Sequence, residues 1–418
     1  MITTDYASGY VPRLVDRVLP ELVSGLPAIS LVGPRGAGKT TTARRYARSV
    51  ARLNQPSEAG VFRADPDTAL RLLSRPALLD EWQVVPDVLG AVKRVVDDDP
   101  RAGQFLLTGS VRATFEQTWP ATGRVARVPV FGLTVREQYQ RTGGELFLDR
   151  LPRDSVDLLA PAPEQADLTT YLELSLRGGF PDAVLHRDGR ARRTWLTSYH
   201  AELLASDVAM TGGAPDPRKL ATYVEALAAH SAGVVEDVTL FDAARIGRST
   251  ANAYEAMLQS VFFCEQVPAW WSDRLTRLTA TPKRYLLDTS LMLSILRLDL
   301  AGMMRDVAMV GRVLDTFVAM QLRPECAVTE AEPRLFHLRD KGGRHEVDLV
   351  VEYPAGLVAG IEIKATAAPS SSDVRHLAWL RDQLDDRFVA GVLLHTGPHT
   401  FRLGDRIIAA PISTLWAG

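Results

Sequence analysis

The residues Gly33 to Thr40 read GPRGAGKT and follow a short apolar run, Ala28 to Val32, that is typical of a buried strand. This is the spacing of a Walker A loop, in which glycines let backbone N–H groups turn inward towards phosphate oxygens. The chain has only six lysines against 42 arginines. The presence of one of them at position 39, where the Walker A pattern requires lysine, therefore favours a functional role. The alternative is a glycine-rich turn that only opens a helix. The order of strand, loop and helix favours a phosphate site near the N-terminus.

The Walker A pattern assigns roles to single residues. Lys39 is expected to reach the β- and γ-phosphates of ATP, and the hydroxyl of Thr40 is expected to ligate Mg²⁺. The start of the following helix adds a partial positive charge at the phosphates. The predicted ATP-binding residues are Gly33, Pro34, Arg35, Gly36, Ala37, Gly38, Lys39, Thr40 and Thr41.

Two further apolar runs end in polar residues. Ala77 to Leu79 precede Asp80 and Glu81, as in a Walker B strand. Asp80 would hold Mg²⁺, and Glu81 would polarise the attacking water. The run Phe105 to Ser110 places Thr108 where a sensor residue would touch the γ-phosphate or the lytic water. Taken alone, each run also fits an ordinary strand that meets a loop. Their order behind the Walker A loop favours a Mg²⁺-dependent ATPase.

Length and composition restrict the class of protein. A chain of 418 residues is long enough for two or three domains, and 46% apolar residues can form substantial cores. No run approaches the ~20 apolar residues of a membrane span, and the N-terminus lacks the apolar core of a signal peptide. We therefore expect a cytoplasmic protein without a membrane partner. Cys264 and Cys326 are expected to be reduced core thiols. The net charge of −2 gives no global attraction to nucleic acid.

The fold class predicted from the pattern is α/β. Residues 1 to about 135 alternate strand-like and helical runs, which is typical of a doubly wound parallel sheet. The proline-rich segment Leu151 to Asp167 is interpreted as a surface connection. Residues from about 168 to 300 are mostly helical by pattern, with a Gly-Gly-Phe-Pro break at Gly178 to Pro181.

The segment Leu240 to Trp270 has the spacing of a helix-turn-helix, with a turn through Gly247 and a second helix capped by Ser249. One interpretation is a winged helix that reads DNA in the major groove. The other is a winged helix used only for packing. The second helix offers no basic or amide face beyond Asn252 and Gln259, which favours packing.

The C-terminal part contains a second set of charged residues. The runs His345 to Val351 and Leu357 to Ile363 predict a hairpin around a Tyr-Pro-Ala-Gly turn. Because side chains alternate along a strand, Glu362 and Lys364 share a face, with Asp348 as a cross-strand neighbour. This is the arrangement of a PD-(D/E)xK nuclease, in which the two carboxylates hold Mg²⁺ and the lysine activates water. A charged ladder on an exposed sheet is the alternative.

The order of these motifs resembles AAA-like P-loop ATPases of bacteria and archaea that carry a C-terminal domain of unknown function, DUF4143. The resemblance covers nearly the whole chain and is carried by the following segments: GPRGAGKTT (33–41), LLDEWQ (78–83), VDDDP with FLLTGS (96–110), TGRV (122–125), RGGFPDAVL (177–185), PKRYLLDTSLM (282–292), GRVLDTFVAMQL (311–322), EVDLVV (346–351) and IEIKAT (361–366).

The resemblance implies three parts. Residues 1–165 would form the AAA-like P-loop ATPase domain, 166–300 a helical region with a winged helix, and 301–418 a PD-(D/E)xK nuclease-like domain with a restriction-endonuclease-like fold. In the helix before the nuclease strands the family usually has glutamate, whereas this chain has the shorter Asp315. The resemblance also makes Arg124 a candidate arginine finger. A finger that acts in trans would require a homo-oligomer.

Two classes of function follow from the sequence, and a third survives if Glu81 is misplaced. The first is an ATPase whose hydrolysis drives a change in the C-terminal module, acting on nucleic acid or a protein partner. The second is a Mg²⁺-dependent nuclease switched by ATP binding. The third is a nucleotide-gated scaffold. Residues 301–418 hold 13 basic and 15 acidic residues, which is unfavourable for gripping a polyanion unless the positive charges cluster.

Overall fold

The computed structural model describes residues 9–110, 123–152, 166–207, 216–272, 280–340 and 342–417. Its N-terminal part is a five-stranded, all-parallel sheet with the order β2-β3-β4-β1-β5. In chain order the elements are α1 (Leu19–Gly25), β1 (Ala28–Val32), α2 (Lys39–Arg44), β2 (Ser49–Arg52), α3 (Pro56–Ala64), α4 (Pro66–Arg71), β3 (Ala77–Asp80), α5 (Val88–Asp98), β4 (Phe105–Gly109), β5 (Ala126–Pro129), α6 (Val135–Gln138) and α7 (Phe147–Arg150).

Both faces of this sheet are covered. Neighbouring residues along β3 and β4 belong to two different apolar clusters: Leu78 and Leu106 pack in one, and Leu79 and Leu107 in the other. Side chains alternate across a strand, so one cluster lies on each face. The α/β fold with a parallel sheet is confirmed.

The middle part is mainly helical. Its elements are α8 (Leu168–Arg177), α9 (Pro181–His186), α10 (Gly189–Glu202), α11 (Pro217–Ala229), α12 (Asp237–Ala244), α13 (Arg248–Ser260), β6 (Cys264–Val267), β7 (Lys283–Leu286), α14 (Thr289–Ile295) and α15 (Leu300–Met304). Strands β6 and β7 form an antiparallel pair after α12 and α13. A three-helix group followed by a hairpin is compatible with a winged helix, which stays a prediction.

The cap predicted for α13 was wrong. The N-cap residue is Gly247, with φ −80° and ψ 160°, and no side chain caps the helix. Ser249 is already inside the helix. The turn is made by Arg245, whose backbone is left-handed at φ 51°. A serine at this position fits the sequence pattern of a helix cap. In the structure, however, the backbone is already extended at Gly247, so the helix begins at Arg248, before Ser249.

The C-terminal part is a six-stranded mixed sheet with the order β12-β13-β11-β10-β9-β8. Its elements are α16 (Val307–Cys326), β8 (Arg334–Arg339), β9 (Glu346–Glu352), β10 (Val358–Lys364), α17 (Arg375–Leu384), β11 (Phe388–His395), β12 (Phe401–Gly404) and β13 (Ile407–Pro411). The predicted hairpin is present, because β9 and β10 pair antiparallel around Pro354–Gly356. Strand β10 pairs parallel to β11 on its other side. The structure thus gives a mixed α/β C-terminal part, while a restriction-endonuclease-like fold stays a prediction.

One core joins the middle and C-terminal parts. The Trp416 ring lies edge-on to Tyr171 of α8 and to Phe317 of α16, with centroid distances of 6.1 and 6.2 Å. All three side chains are buried in the largest apolar cluster. Burying aromatic side chains of this size contributes roughly 1.5–3 kcal/mol each, so these two parts pack as one body.

Among the described residues, no helix is long and apolar enough to cross a membrane. Among the described residues, neither Cys264, which is buried, nor the partly buried Cys326 forms a disulfide. Two segments used in the sequence analysis lie wholly or partly outside the described residues: most of the proline-rich connection, at residues 153–165, and Thr122 of the TGRV segment.

Candidate nucleotide and acidic sites

The Walker A loop connects β1 to α2. Gly33, Gly36 and Gly38 have positive φ values of 156°, 75° and 93°. A Cβ atom at Gly33 would lie 1.9 Å from the carbonyl oxygen of Val130, so only glycine fits there. The Nζ atom of Lys39 donates to the carbonyl oxygens of Gly33 and Pro34 at 3.0 and 2.8 Å. The loop is therefore folded tightly around its lysine.

Asp80 is the centre of a small oxygen cluster at the carboxyl end of the sheet. Its Oδ1 atom accepts hydrogen bonds from the hydroxyl groups of Thr40 and Thr108, each at 2.6 Å. Strands β3 and β4 pair in the register that sets Asp80 beside Thr108. Mg²⁺ prefers oxygen ligands such as hydroxyl and carboxylate groups, so the side chains of Thr40 and Asp80 fit this ion. Thr108 contacts Asp80 directly, and its role as a phosphate sensor stays a prediction.

Glu81 follows Asp80 in a left-handed backbone conformation, with φ 53° and ψ 45°. Its Oε2 atom accepts a hydrogen bond of 2.5 Å from Nε2 of Gln83. The carboxylate of the expected water-polarising residue is thus held by a side chain two positions later.

Arg124 lies on the surface of the N-terminal part. It pairs with Asp97 at 2.8 Å, and both side chains are well exposed. Asp97 belongs to α5 and not to the nucleotide site, so the structure does not bring Arg124 to the Walker residues through this pair. A finger role in trans stays a prediction.

The acidic C-terminal residues gather around a lysine that the sequence analysis did not single out. Lys283 of β7 donates to Oδ2 of Asp315 at 2.5 Å, and its Nζ lies 3.6 Å from Oδ1 of Asp348. The Tyr285 hydroxyl donates to the other oxygen of Asp315 at 2.8 Å. Burial raises the pKa of Asp315 to about 6 although Lys283 opposes this. Burial lowers the pKa of Lys283, but the charge of Asp315 opposes this, and the pKa lies well above its ordinary value.

Glu362 and Lys364 lie beside this group. They form an ion pair of 3.0 Å, while Oε1 of Glu362 is buried and accepts no hydrogen bond from the described residues. Burial, followed by the charge of Asp348, raises the pKa of Glu362 well above its ordinary value. Asp348 accepts the backbone N–H of Ile363 at 2.9 Å. The structure therefore brings Asp315, Asp348, Glu362 and Lys364 into one neighbourhood.

This neighbourhood does not fit a divalent ion as it stands. The ammonium of Lys283 already lies between Asp315 and Asp348 and supplies the positive charge there. The described residues contain no group of three or more His, Cys, Asp or Glu side chains arranged to hold a metal. The role of the four predicted nuclease residues stays a prediction.

Family models match three consecutive stretches of the chain. Residues 26–139 match an AAA domain, and residues 310–415 match the domain of unknown function DUF4143. The stretch between them, residues 168–301, matches another domain of unknown function, DUF8612. The first match contains the loop and the Asp80 cluster, and the second contains Asp315, Asp348 and Glu362. The chain joins an AAA domain to a DUF4143 domain.

Similar chains exist in mycobacteria. The uncharacterized proteins Rv2008c of Mycobacterium tuberculosis and Mb2031c of Mycobacterium bovis are each 28% identical over 391 residues, which are 92% of this chain and 80% of theirs. Among solved structures, the Walker-type ATPase PABY2304 of Pyrococcus abyssi is 14% identical with a TM-score of 0.43. That comparison covers 70% of this chain and 97% of the other.

Arg13, which precedes the stretch that matches the AAA domain, links the Walker A loop to α6. Its guanidinium donates to the Ala37 carbonyl at 2.8 Å, to the Phe131 carbonyl at 2.7 Å and to Glu137 at 3.0 Å. The other oxygen of Glu137 accepts the backbone N–H of Thr134 at 2.7 Å. Because Arg13 and Glu137 are almost fully buried, this ion pair holds the back of the loop in a fixed position.

The middle helices cover the front of the loop. Tyr199 of α10 donates its hydroxyl to the Arg35 carbonyl at 2.9 Å, and its ring packs on Phe180 with centroids 4.6 Å apart. The backbone of Gly179 accepts the N–H of Leu133 at 2.6 Å. A Cβ at Gly179 would lie 2.6 Å from the Leu133 carbonyl oxygen. The Gly-Gly break is thus the place where the middle part meets the AAA domain.

Sequence reasoning missed three residues at these sites, which are Lys283, Gln83 and Arg13. Lys283 carried a usable signal, since lysine is as rare there as at Lys39 and Lys364. Gln83 lay within a quoted motif but has no chemistry of its own. Arg13 is one of 42 arginines, and its partner Glu137 is 124 residues away, so no local pattern marks the pair.

Proposed function

We propose that this protein is a Mg²⁺-dependent ATPase whose nucleotide state acts on its DUF4143 domain. The observation that carries the proposal is the convergence of Lys39, Thr40, Asp80 and Thr108 at one end of a parallel sheet. This set supports the proposal because a lysine, a hydroxyl and a carboxylate match the phosphates and the metal of ATP.

Each residue has a separate task in this proposal. Lys39 exchanges its contacts with the loop carbonyls for the β- and γ-phosphates. Thr40 and Asp80 hold Mg²⁺, which when bound neutralises charge on the phosphate oxygens. Glu81 accepts a proton from the attacking water, and Gln83 positions the Glu81 carboxylate. Thr108 orients Asp80.

The test uses two substitutions with different expected results. Lys39→Ala should abolish ATP binding in calorimetry, because the loop loses its only lysine. Glu81→Gln should still bind ATP but release phosphate about 10²- to 10⁴-fold more slowly, which is the usual contribution of a general base. Lys219→Ala, an exposed lysine on α11, is the matched control. Unchanged turnover in Glu81→Gln would remove Glu81 from catalysis, whereas ATP binding without phosphate release by the wild type would favour the scaffold alternative.

A line of buried contacts supports communication with the DUF4143 domain. Arg13 touches the loop at Ala37 and pairs with Glu137. Beside Glu137, the backbone N–H of Val135 donates to Oε1 of Gln321 on α16 at 2.8 Å. The line therefore connects the nucleotide loop to the longest helix of the C-terminal part.

Hydrogen exchange measures this communication. A non-hydrolysable ATP analogue should slow amide exchange in α16 of the wild-type protein, and this effect should be lost in Gln321→Leu while the analogue still binds. Gln259→Leu on α13 serves as a glutamine control outside the line. Equal protection of α16 in wild type and Gln321→Leu would show that the contact carries no signal.

The acidic group of the DUF4143 domain is the basis of the alternative, a nuclease regulated by ATP. Its support is the proximity of Asp348, Glu362 and Lys364, and Lys283 opposes it. Incubation with Mg²⁺ or Mn²⁺ and with DNA or RNA, with and without ATP, tests it, using Asp348→Asn as the control. Cleavage that is abolished by Asp348→Asn would establish the alternative, and cleavage that persists would come from another site or from a contaminant.

A further inference from the structure

A cavity of the middle part has a volume of about 970 Å³ and lies between α8, α10, α14 and α15. Five arginines line it: Arg177, Arg192, Arg193, Arg297 and Arg305. None of them belongs to the nucleotide site or to the acidic group. We call this cavity and the adjoining face of α10 the arginine groove.

Positive charge in the arginine groove is mostly uncompensated. Of the described residues that line the cavity, two are acidic, Glu173 and Asp299. Asp299 already caps α15 by accepting the N–H of Gly302 at 2.8 Å. Within the described ranges, Arg193, Arg297 and Arg305 form no ion pair or side-chain hydrogen bond, and all three are exposed. Arg192, by contrast, donates to the carbonyl oxygens of Ala183 and Arg187 at 3.0 and 2.6 Å. In a chain with a net charge of −2, the three exposed guanidinium groups form a local concentration of positive charge that no ion pair of the described residues neutralises.

The groove continues along α10. Two smaller openings, of about 520 and 630 Å³, adjoin the cavity and share with it or with each other Arg190, Arg193, Thr194 and Thr197. These four positions are spaced by three or four residues, so they lie on one helix face. They form a track about 10 Å long at 1.5 Å per residue, with guanidinium and hydroxyl donors along its length.

We propose that the arginine groove binds the sugar-phosphate backbone of a nucleic acid. Guanidinium groups match phosphate oxygens with two parallel hydrogen bonds, and threonine hydroxyls also donate to phosphates. A track that extends beyond one cavity fits a chain of phosphates better than a single phosphate group. Backbone contacts carry no base information, so binding is independent of sequence. The surface lies on α10 and not on the helix-turn-helix at α13.

Helix α10 also contacts the nucleotide loop, because the Tyr199 hydroxyl donates to the Arg35 carbonyl at 2.9 Å. The binding proposal does not depend on ATP hydrolysis and is tested without nucleotide.

Fluorescence anisotropy with the full-length protein tests it. The probes are labelled 20-nucleotide single-stranded DNA, the corresponding duplex, RNA of the same sequence and a doubly phosphorylated peptide. Three to five phosphate contacts predict that affinity for at least one nucleic acid falls about 40- to 500-fold between 50 and 200 mM salt. Binding that is insensitive to salt, or binding of the phosphopeptide alone, would overturn the proposal.

Charge reversal locates the site. The double variant Arg193→Glu, Arg297→Glu should bind at least about tenfold more weakly, whereas Arg193→Lys, Arg297→Lys should keep most of the affinity. Arg245→Glu, Arg248→Glu at the helix-turn-helix is the matched control, since both arginines are exposed. Melting temperatures show whether each variant folds, and a single Arg305→Glu variant repeats the test at another position. A loss confined to the control pair would place the nucleic acid on α13 and overturn the assignment.

Discussion

The ammonium group of Lys283 lies 2.5 Å from Oδ2 of Asp315, and both side chains are buried. One strand and one helix from different stretches of sequence meet there, and Asp348 of a third element completes the group. Asp348 is one of the two carboxylates that the sequence predicted to hold a divalent cation, and beside it lies the protein's own cation, Lys283. Removing Lys283 leaves both carboxylates without their cation, and removing Asp315 leaves Lys283 with only the longer contact to Asp348.

We predict that Lys283→Met and Asp315→Asn each lower the free energy of unfolding by about 3–5 kcal/mol, the usual cost of breaking a buried pair. The double variant should be less destabilised than the sum of the two singles, because it removes both charges of the Lys283–Asp315 pair together. Urea denaturation of the four proteins measures this cycle. Additive losses would show that the two side chains do not interact in solution.

At the nucleotide site, Thr108→Val removes the hydroxyl that orients Asp80 but keeps the shape of the side chain. We expect the Mg²⁺ concentration needed for half-maximal ATP hydrolysis to rise about 10- to 100-fold, as for other residues that orient a metal ligand. Phosphate release at increasing Mg²⁺ measures it. Thr108→Ser should behave like the wild type, and a Mg²⁺ requirement unchanged in Thr108→Val would leave Asp80 oriented by Thr40 alone.

The contact between the middle part and the AAA domain depends on Gly179. Gly179→Ala places a Cβ 2.6 Å from the Leu133 carbonyl oxygen, and we expect a loss of about 1–3 kcal/mol in the free energy of unfolding. Gly311→Ala, on the exposed side of α16 with nothing within 4 Å of the new Cβ, should instead be neutral or stabilising by up to about 1 kcal/mol. Thermal or urea unfolding compares the two. Equal effects would mean that the close approach at Gly179 is relaxed at little cost.

Glu325 predicts a pH dependence of stability. Its Oε1 atom lies 3.7 Å from Nε of Arg136, and its Oε2 atom accepts the N–H of Leu148 at 3.0 Å. Burial raises its pKa to about 7 although Arg136 opposes this. The folded protein therefore binds this proton more tightly than the unfolded chain does, and stability from this group is complete below about pH 4.5 and lost as the pH rises through about 7.

The Glu325→Gln variant has no titratable group at this position, so its stability lacks this pH dependence. Between about pH 4.5 and pH 8, the wild type should lose up to about 3 kcal/mol more of its free energy of unfolding than Glu325→Gln does. Urea denaturation across that range gives the difference between the two curves. Parallel curves would mean that Glu325 is ionised in the fold at acidic pH.

The sequence by itself determined the local parts of this protein. The strand at Ala28–Val32, the Walker A loop, the strand ending at Asp80 and the hairpin of β9 and β10 are encoded within short segments. Glycine, lysine, hydroxyl and carboxylate residues at fixed spacing have few other uses there, and alternation along a strand sets which side chains share a face.

Only the tertiary structure decided what those parts contact. Arg13 reaches Glu137 across 124 positions, and Lys283 reaches Asp315 across 32 and Asp348 across 65. The arginines of the groove come from α8, from α10 and from the segments that follow α14 and α15. Such contacts depend on how elements pack, and packing uses the apolar faces of whole helices and sheets, so the charged residues that it brings together carry no shared local pattern. For this reason the nucleotide site could be predicted from one short loop, whereas the position of Lys283 between Asp315 and Asp348 could not be predicted from the sequence.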